Sequence, residues 1–428
     1  MDSNFLIIKG NIIFTPALNL YKTFKNGYIV IKDKTIIGTY ESLPLIYKNL
    51  KVIDYGNQLI IPGFVDLHLH APQFFNRGLG LDKELLPWLE TYTFPEEAKY
   101  SNIQYAKKAY EQMVIELWKH GTTRSVLFGT IHREATELLM NILNKSGLSA
   151  FVGKVNMDRN SPDFYQELTD YSLSETRKWL ENTIDKYEKV KPIITPRFIP
   201  TCTPKLLLEL GNLAKEFNIP VQSHLSENKN EIAWVAEIEK TSKNYADAYN
   251  NYGLFGDQPT IQAHCIWNTE EELNLIKEKN IMIAHCPHSN LNLSSGIAPI
   301  KKYIKKNIKV GLGSDISGGH EISIAKVIVN AIQNSKIRSI YVDRLEQALT
   351  FKEAFYLATK GGGNFFGKIG SFEVGYEFDA LIIDDTSISS DDSCTLEERL
   401  ERFIYIGDDR NIIHRYISGQ LIPFPSFN

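Results

Sequence analysis

Eight short apolar runs recur along the middle of the chain, and longer amphipathic stretches separate most of them. The runs are residues 59–68, 122–129, 150–157, 191–198, 219–225, 260–265, 281–287 and 309–315. One intervening stretch, Y-A-K-K-A-Y-E-Q-M-V-I-E-L-W-K at 105–119, has the apolar spacing of a helix. Short strands that alternate with helices are typical of βα units and of a parallel sheet. Eight such units predict a (β/α)8 barrel of the TIM type, whose functional side chains lie at the carboxyl ends of the strands.

The two ends of the chain have a different pattern. Runs such as G-Y-I-V-I-K-D-K-T-I-I-G-T-Y and N-I-I-H-R-Y-I-S-G-Q-L-I are rich in β-branched and aromatic residues, with breaks at Gly and Asn. We therefore predict an α/β protein with two parts. A barrel domain spans residues 61–370, and a small β-sandwich domain is built from residues 1–60 and 371–428.

Charge and hydropathy exclude several classes of function. The formal net charge of the 428 residues is −4, which gives no basic field for nucleic acid or an acidic lipid surface. No apolar stretch approaches the ~20 residues that cross a bilayer. The start, M-D-S-N-F-L-I-I-K-G-N, resembles neither a signal peptide nor a basic transit peptide. Four cysteines without a C-x-x-C motif predict neither a disulfide framework nor a zinc ribbon. We expect a cytoplasmic globular protein.

Polar residues at the ends of the runs are the strongest functional signal. They are His68, Arg197, His224, His264, His285 and Asp315. Histidine and aspartate are costly to bury without a partner, so this placement suggests a shared site. His70 follows His68 by two residues, and side chains two apart on a strand share a face. The H-x-H motif alone fits core packing as well as metal binding. With His224 and Asp315 at other strand ends, three imidazoles and a carboxylate predict a site suited to Zn²⁺.

Several of these residues also have a second interpretation. Asp315, in G-L-G-S-D, could cap a helix, although the glycines suit a close approach of backbones at the barrel rim. Glu227, three residues after His224, is either a first-turn acid or a proton shuttle whose pKa burial can adjust. His264 is either a further ligand or, as we favour, a group that stabilises the attacking water. For His285, packing and outer support of the site stay equally open.

Four residues are candidates for substrate binding. Gln73 can donate and accept hydrogen bonds at the edge of a planar ring. Arg197, in T-P-R-F, can clamp a carbonyl oxygen, or it can form a structural salt bridge at the rim. Phe198 and Trp88 can stack on a flat ring, although aromatic side chains are more often part of the core.

The motifs P-G-F-V-D-L-H-L-H, H-L-S-E, A-H-C-P-H-S-N and G-L-G-S-D resemble the amidohydrolase superfamily, in its aminohydrolase branch. The segments D-K-E-L-L-P-W-L-E-T-Y-T-F-P-E-E, expected to form a loop, and T-P-R-F resemble the members that deaminate guanine. The resemblance covers roughly residues 55–385. It departs from the usual pattern at Cys265 and His288, which stand where smaller residues are more usual.

The resemblance implies a homodimer with one zinc ion per subunit and hydrolysis of guanine to xanthine and ammonia. His68, His70, His224 and Asp315 would bind the zinc, and His264 and Asp315 would activate water. Glu227 would move protons to the ring. Gln73 and Arg197 would hold the purine edge beside Phe198, and Trp88 would close the pocket. His224, Glu227, His264 and Asp315 would also contact the purine.

Two alternatives stay open. One is an aminohydrolase of the same fold that acts on a pterin, a triazine or an adenosine-like compound. The other is a catalytically silent scaffold that binds protein partners, but the retained ligand set argues against it. A different class of zinc deaminase is excluded because the sequence lacks its P-C-x-x-C motif.

Overall fold

The computed structural model describes residues 5–388 and 393–427. Residues 1–4 and 428, the ends of the predicted terminal domain, lie outside the described residues, as do residues 389–392. None of the described helices combines the length and the apolar character that crossing a membrane requires.

Each of the eight apolar runs overlaps a strand, and neighbouring strands pair in parallel. The strands are Phe64–His70, Thr122–Phe128, Ser149–Gly153, Val190–Pro192, Val221–Leu225, Thr260–His264, Met282–His285 and Lys309–Leu312. The pairing follows chain order within the first four and within the last four strands. A short parallel pair, Val155–Asn156 with Thr195–Pro196, extends the third and fourth strands. The predicted α/β architecture is confirmed.

Backbone contacts join the two groups of strands on both sides. Ile194, just after the fourth strand, forms a parallel bridge with Val221 of the fifth. On the other side, the Asp315 N–H donates to the His68 carbonyl at 2.8 Å, and the His70 N–H donates to the Ile316 carbonyl at 2.8 Å. The eight strands therefore form a closed ring, and their carboxyl ends meet at one mouth.

Apolar side chains fill the interior of this ring. They come from four of its strands and from three residues beyond the strands: Val65, Leu67, Val126, Ile193, Ile261, Ala263, Met282, Ala284, Cys286 and Ile369. A barrel filled in this way is a packed core and not a pore. A ligand can therefore enter only at the mouth.

Helices surround the ring and connect its strands. Those of seven or more residues are Ile103–Lys119, Arg133–Ser146, Thr169–Thr183, Pro204–Glu216, Lys229–Ile238, Tyr245–Asn251, Glu270–Glu278, Ile324–Tyr341 and Leu396–Ile406. Shorter helices are Leu85–Trp88, Phe94–Ala98, Pro287–Asn292, Ile300–Lys305 and Phe351–Tyr356. The predicted helix at 105–119 is confirmed. It begins at Ile103 because the Asn102 side chain caps its free N–H groups.

Residues 85–98 are helical, so the expectation of a loop over 82–97 is wrong for most of that segment. A turn of α-helix, Leu85–Trp88, continues through a π-helical turn, Leu89–Thr93, into Phe94–Ala98. Pro87 lies in the first turn of Leu85–Trp88, where the backbone N–H that proline lacks would have no helical partner. Pro95 directly follows the π-helical turn.

The two ends of the chain meet in one seven-stranded sheet. Its order from edge to edge is Gln420–Leu421, Ile412–Ile417, Ala380–Ile383, Val52–Pro62, Phe5–Ala17, Leu20–Lys32 and Thr35–Tyr40. The Ile36 N–H donates to the Tyr376 carbonyl, and the Phe378 N–H donates to the Lys34 carbonyl, both at 2.8 Å. The sheet thus curls around a core of its own, in place of two separate sandwich layers. The exact domain boundaries stay a prediction.

A buried ion pair fastens this sheet to the barrel. Arg124, on the second barrel strand, donates from Nε to Asp379 Oδ2 at 2.6 Å and from Nη2 to Asp379 Oδ1 at 3.0 Å. Both side chains are buried. A two-point pair of this kind fixes orientation as well as distance, so it defines how the two parts meet.

Candidate functional site

The predicted site residues converge around Asp315 at the mouth of the barrel. Asp315 Oδ1 lies 3.2 Å from His68 Nε2 and 3.5 Å from His70 Nε2. Asp315 Oδ2 lies 3.7 Å from His264 Nε2. His224 Nε2 is 3.1 Å from His70 Nε2. The structure therefore brings together five side chains from four strand ends, and all five are buried.

The backbone around Asp315 is adapted to this convergence. His264 and Asp315 have left-handed backbone conformations, with φ of 69° and 50°. Such values are costly for residues other than glycine, and in a buried cluster they indicate that the surrounding structure holds the backbone in place. Gly313 lets the last strand approach the first, because a Cβ there would lie 2.9 Å from His68 Cβ and 3.0 Å from Cys286 Sγ. This is the close approach that the glycines of G-L-G-S-D predicted.

The donor set fits a bound cation. His224 Nδ1 donates to the Arg197 carbonyl at 2.6 Å, so its Nε2 carries a lone pair that faces His70. Both ring nitrogens of His68 and Nδ1 of His70 are buried without a hydrogen-bond partner. The ligand atoms of His68, His70 and Asp315 all lie within 4.8 Å of one another. A divalent cation at this position would satisfy several of these nitrogens at once, with the His₃Asp chemistry that Zn²⁺ accepts.

The protonation states suit the same interpretation. Burial, with added repulsion from neighbouring histidines, lowers the pKa of His70 and of His224 well below the ordinary 6.5. Burial alone would raise the pKa of Asp315, but the adjacent His68 and His264 outweigh it and lower that pKa to about 2. The imidazoles of His70 and His224 are therefore neutral and the Asp315 carboxylate is ionised near pH 7, which are the forms that bind metals.

Glu227 lies beside the cluster. Its Oε2 is 3.4 Å from His264 Nε2, and its Oε1 accepts a hydrogen bond from Ser295 Oγ at 3.1 Å. Burial raises the pKa of Glu227 to about 7. His264 Nδ1 donates to Asn290 Oδ1 at 2.9 Å, which turns His264 Nε2 toward Glu227 and Asp315. A carboxyl group with a pKa near neutrality can both release and accept a proton.

A second polar group lies on another wall of the same cavity. Arg197 Nη1 forms an ion pair with Glu97 Oε2 at 2.7 Å, and Gln73 Nε2 donates to Glu97 Oε1 at 2.6 Å. The Ser317 N–H donates to Gln73 Oε1 at 3.1 Å. The guanidinium of Arg197 lies 5.1 Å from the centre of the Phe94 ring. Arg197 is thus both a salt-bridge partner and a wall of the cavity.

A cavity of ≈ 420 Å³, its open side included, joins the two polar groups. Every predicted site residue except His68 lines it: His70, Gln73, Trp88, Arg197, Phe198, His224, Glu227, His264 and Asp315. His68 lies behind them, against Asp315. Trp88 donates from Nε1 to the Leu79 carbonyl at 3.0 Å, so its ring is held in place. Aromatic walls with a few convergent polar groups are typical of a site for a small molecule.

Sequence reasoning missed several residues of the site. Glu97, the last residue of T-F-P-E-E, has no role predicted from the sequence. Glu231 also lines the cavity, and its carboxylate accepts the backbone N–H groups of Glu227 at 3.0 Å and Asn228 at 3.1 Å. The available signal was the acidic spacing of S-E-N-K-N-E, four residues after Glu227. His285 is buried and does not line the cavity, so its role stays open.

Comparison with known proteins agrees with this architecture. The model of the amidohydrolase family matches residues 59–422. The chain therefore belongs to the amidohydrolase family, and the resemblance seen in its motifs is confirmed.

Within that family the similar proteins include several guanine deaminases. The guanine deaminase of Dictyostelium discoideum is 42% identical over 98% of each chain. That of Escherichia coli is 34% identical over 93% of this chain and 91% of its own. A solved guanine deaminase from C. acetobutylicum, with guanine bound in its active site, is 52% identical. Its TM-score is 0.96, with 98% of this chain and 100% of that chain covered.

Proposed function

We propose that this chain is a metal-dependent guanine deaminase that converts guanine and water to xanthine and ammonia. The observation that carries the proposal is the pairing of two polar groups across one cavity. One is the histidine–aspartate cluster with Glu227, and the other is the N–H edge of Arg197 and Gln73. The guanine deaminases among the relatives support it, above all the one solved with guanine bound.

We propose Zn²⁺ as the metal, one ion per subunit. His68, His70, His224 and Asp315 would hold it, since they combine three imidazoles with one carboxylate. A divalent ion bound there supplies a Lewis acid that makes water acidic enough to attack near neutral pH. His264 stays outside the ligand set in this proposal, because Asn290 and Glu227 already engage it on both sides.

Substrate orientation follows from the N–H edge. Arg197 donates to the ring carbonyl oxygen of guanine, and Gln73 donates to the neighbouring acceptor. This contact turns the amino-bearing carbon, C2, toward Asp315 and Glu227. Phe198 and Trp88 flank the ring and exclude water from its faces.

The proton transfers use groups already in place. Asp315 accepts a proton from the water that attacks C2, while His264 stabilises the developing charge. Glu227 donates a proton to the adjacent ring nitrogen, so the tetrahedral carbon forms without a full negative charge on the ring. The ionised Glu227 takes the proton of the new hydroxyl group on C2, and the amino group receives the proton that Asp315 took from water, either directly or through Glu227. The C–N bond breaks, ammonia leaves, and the new carbonyl of xanthine forms.

The same edge accounts for selectivity. A purine with an amine in place of the carbonyl would point N–H groups at the N–H groups of Arg197 and leave its charge without an acceptor. This argues against the adenosine-like alternative. Pterins combine a ring carbonyl with an amino-bearing carbon, so they are the informative competitors. The retained cluster argues against a silent scaffold.

We further propose a cytoplasmic homodimer. Exposed apolar side chains at the end of the helix Ile324–Tyr341 and just beyond it support an interface: Ile340, Tyr341, Val342 and Leu345. The absence of a membrane-type helix among the described residues is compatible with this location. Sedimentation measurements on the purified chain test the dimer.

One assay tests the main proposal. Purified protein is analysed for bound metals, loaded with Zn²⁺, and assayed for ammonia release from guanine, adenine, cytosine and a pterin. We expect bound zinc and release from guanine far above release from the other three. If metal-loaded protein releases no ammonia from guanine, the proposal is wrong.

A further inference from the structure

Glu97 has no role in the steps above, yet it lies between the two residues that face the base. It is fully buried, at the end of the helical segment 85–98. One oxygen accepts from Gln73 Nε2 at 2.6 Å and the other pairs with Arg197 Nη1 at 2.7 Å. Gln73 and Arg197 are 24 and 100 residues away from it in the chain. A single carboxylate therefore connects three distant elements at one wall of the cavity.

This contact determines which way the Gln73 amide points. A carboxylate only accepts hydrogen bonds, so the NH₂ end of Gln73 must face Glu97. The carbonyl end then meets the Ser317 N–H at 3.1 Å, which only donates. The opposite orientation would place NH₂ against N–H at Ser317 and oxygen against oxygen at Glu97. The groups left for a ligand are the second N–H of Gln73 and the remaining N–H groups of Arg197.

We propose that Glu97 is a positioning residue that keeps this edge of the cavity a pure hydrogen-bond donor, and so selects a purine with oxygen at C6 over one with an amine there. The proposal rests on the proposed function and deepens it. Glu97 does not touch the base. It acts through the orientation of Gln73 and Arg197, and it offsets the charge of a buried guanidinium.

A purely structural ion pair would behave differently. Replacing Glu97 by Gln retains its shape but supplies one acceptor and one donor to two partners that both donate. Either Arg197 faces an amide NH₂, or Gln73 must rotate and present its oxygen to the cavity. In the second arrangement the edge can accept from an amine at C6. The ratio of kcat/KM for two substrates that differ at this edge thus reports its polarity. A general loss of packing would lower both values and leave the ratio unchanged.

The test compares guanine with 2,6-diaminopurine. Both carry the reacting amino group at C2. Guanine has a carbonyl oxygen at C6 and a hydrogen on N1, whereas 2,6-diaminopurine has an amine at C6 and no hydrogen on N1. In Glu97→Gln we expect kcat/KM for guanine to fall about 10- to 100-fold, the range of one lost hydrogen bond to a charged group. For 2,6-diaminopurine we expect kcat/KM to be unchanged or higher, so the preference for guanine narrows by at least about tenfold.

Glu96→Gln is the matched control. Glu96 is the neighbouring carboxylate on the same helix, but it pairs with Lys99 at 2.6 Å and with the Tyr105 hydroxyl, away from the cavity. In Glu96→Gln, the ratio of kcat/KM for guanine to kcat/KM for 2,6-diaminopurine should equal that of the wild-type protein. A narrowed ratio in Glu96→Gln as well would overturn the assignment to Glu97, because any disturbance of this helix would then have the same effect.

Glu97→Asp covers the case in which Glu97→Gln does not fold. The shorter side chain retains the charge that Arg197 requires, but it cannot reach Gln73 and Arg197 at their present distances. We expect the preference for guanine over 2,6-diaminopurine to narrow in Glu97→Asp as well, but by a smaller factor, while the circular dichroism spectrum stays that of the wild-type protein. An unchanged ratio in every folded Glu97 variant overturns the proposal. Failure of the proposed function is separate, because it appears as wild-type protein that does not deaminate guanine.

Discussion

Replacing Glu227 by Gln should leave the site intact and remove most of the turnover. Glutamine has the same length, and its oxygen can still accept a hydrogen bond from Ser295 Oγ, as Glu227 Oε1 does at 3.1 Å. The variant should therefore bind the metal and the substrate nearly as the wild-type protein does. It has no proton to give to the ring, since an amide does not ionise in this range.

The size of the loss follows from the protonation state of Glu227. With its pKa raised to about 7 by burial, roughly half of the carboxyl groups carry a proton at pH 7 and can donate it. General acid–base catalysis by a positioned group contributes about 10²- to 10⁴-fold. We expect kcat to fall by that factor and KM to change little. The wild-type rate should also fall as the pH rises through about 7, and the residual rate of the variant should lack this decline.

The assay combines three measurements on the same preparation. Metal content and thermal unfolding report whether the site and the fold are retained, and ammonia release from guanine gives kcat and KM between pH 5 and 9. Turnover within threefold of wild type, in a variant with full metal content, would refute the role of Glu227 as proton donor. If Glu227→Gln loses both the bound metal and the turnover, the assignment of Glu227 outside the ligand set is wrong.

Three further predictions concern the metal, the joint between the two parts and acid stability. His224→Ala should lose most of the bound zinc, and its melting temperature should no longer rise when Zn²⁺ is added. Arg124→Ala should lower the free energy of unfolding by about 3–5 kcal/mol, because it leaves Asp379 buried without its partner. The control Arg133→Ala removes partly exposed ion pairs, and Glu175 keeps its pair with Lys178 at 2.8 Å, so it should cost about 1 kcal/mol or less in the same urea titration. Burial, with repulsion from Lys154, lowers the pKa of His132 from 6.5 to about 4, so between these values the unfolded chain binds a proton that the folded chain does not. The free energy of unfolding should therefore fall as the pH drops through this window. Urea titrations at pH 7 and pH 4.5 should show a smaller fall for His132→Gln than for the wild-type protein.

The sequence predicted the strands and the convergence of the histidines on Asp315 because both follow from local patterns at the strand ends. Each barrel strand is a short apolar run, and a polar residue at its end marks the mouth directly. The N–H edge depends on contacts between distant residues. Glu97 stands out only when Gln73 and Arg197 are folded against it, and the sequence does not indicate that pairing. The expectation of a loop at 82–97 rested on a family resemblance and not on the local pattern, so it missed the helical turns at 85–98.

The seven-stranded sheet sets an order for the synthesis of this protein. The strand Val52–Pro62 pairs with Ala380–Ile383, which the ribosome adds about 320 residues later. At about 5–20 residues per second, the earlier strand waits roughly 15–60 s for its neighbour. During that interval it presents an open, apolar edge of the kind that attracts other chains. The barrel can form first, but this edge is covered only when the last strands of the chain have emerged. A ribosome that stalls after Pro62 but before Ala380 should therefore release a more aggregation-prone product than one that stalls before Val52.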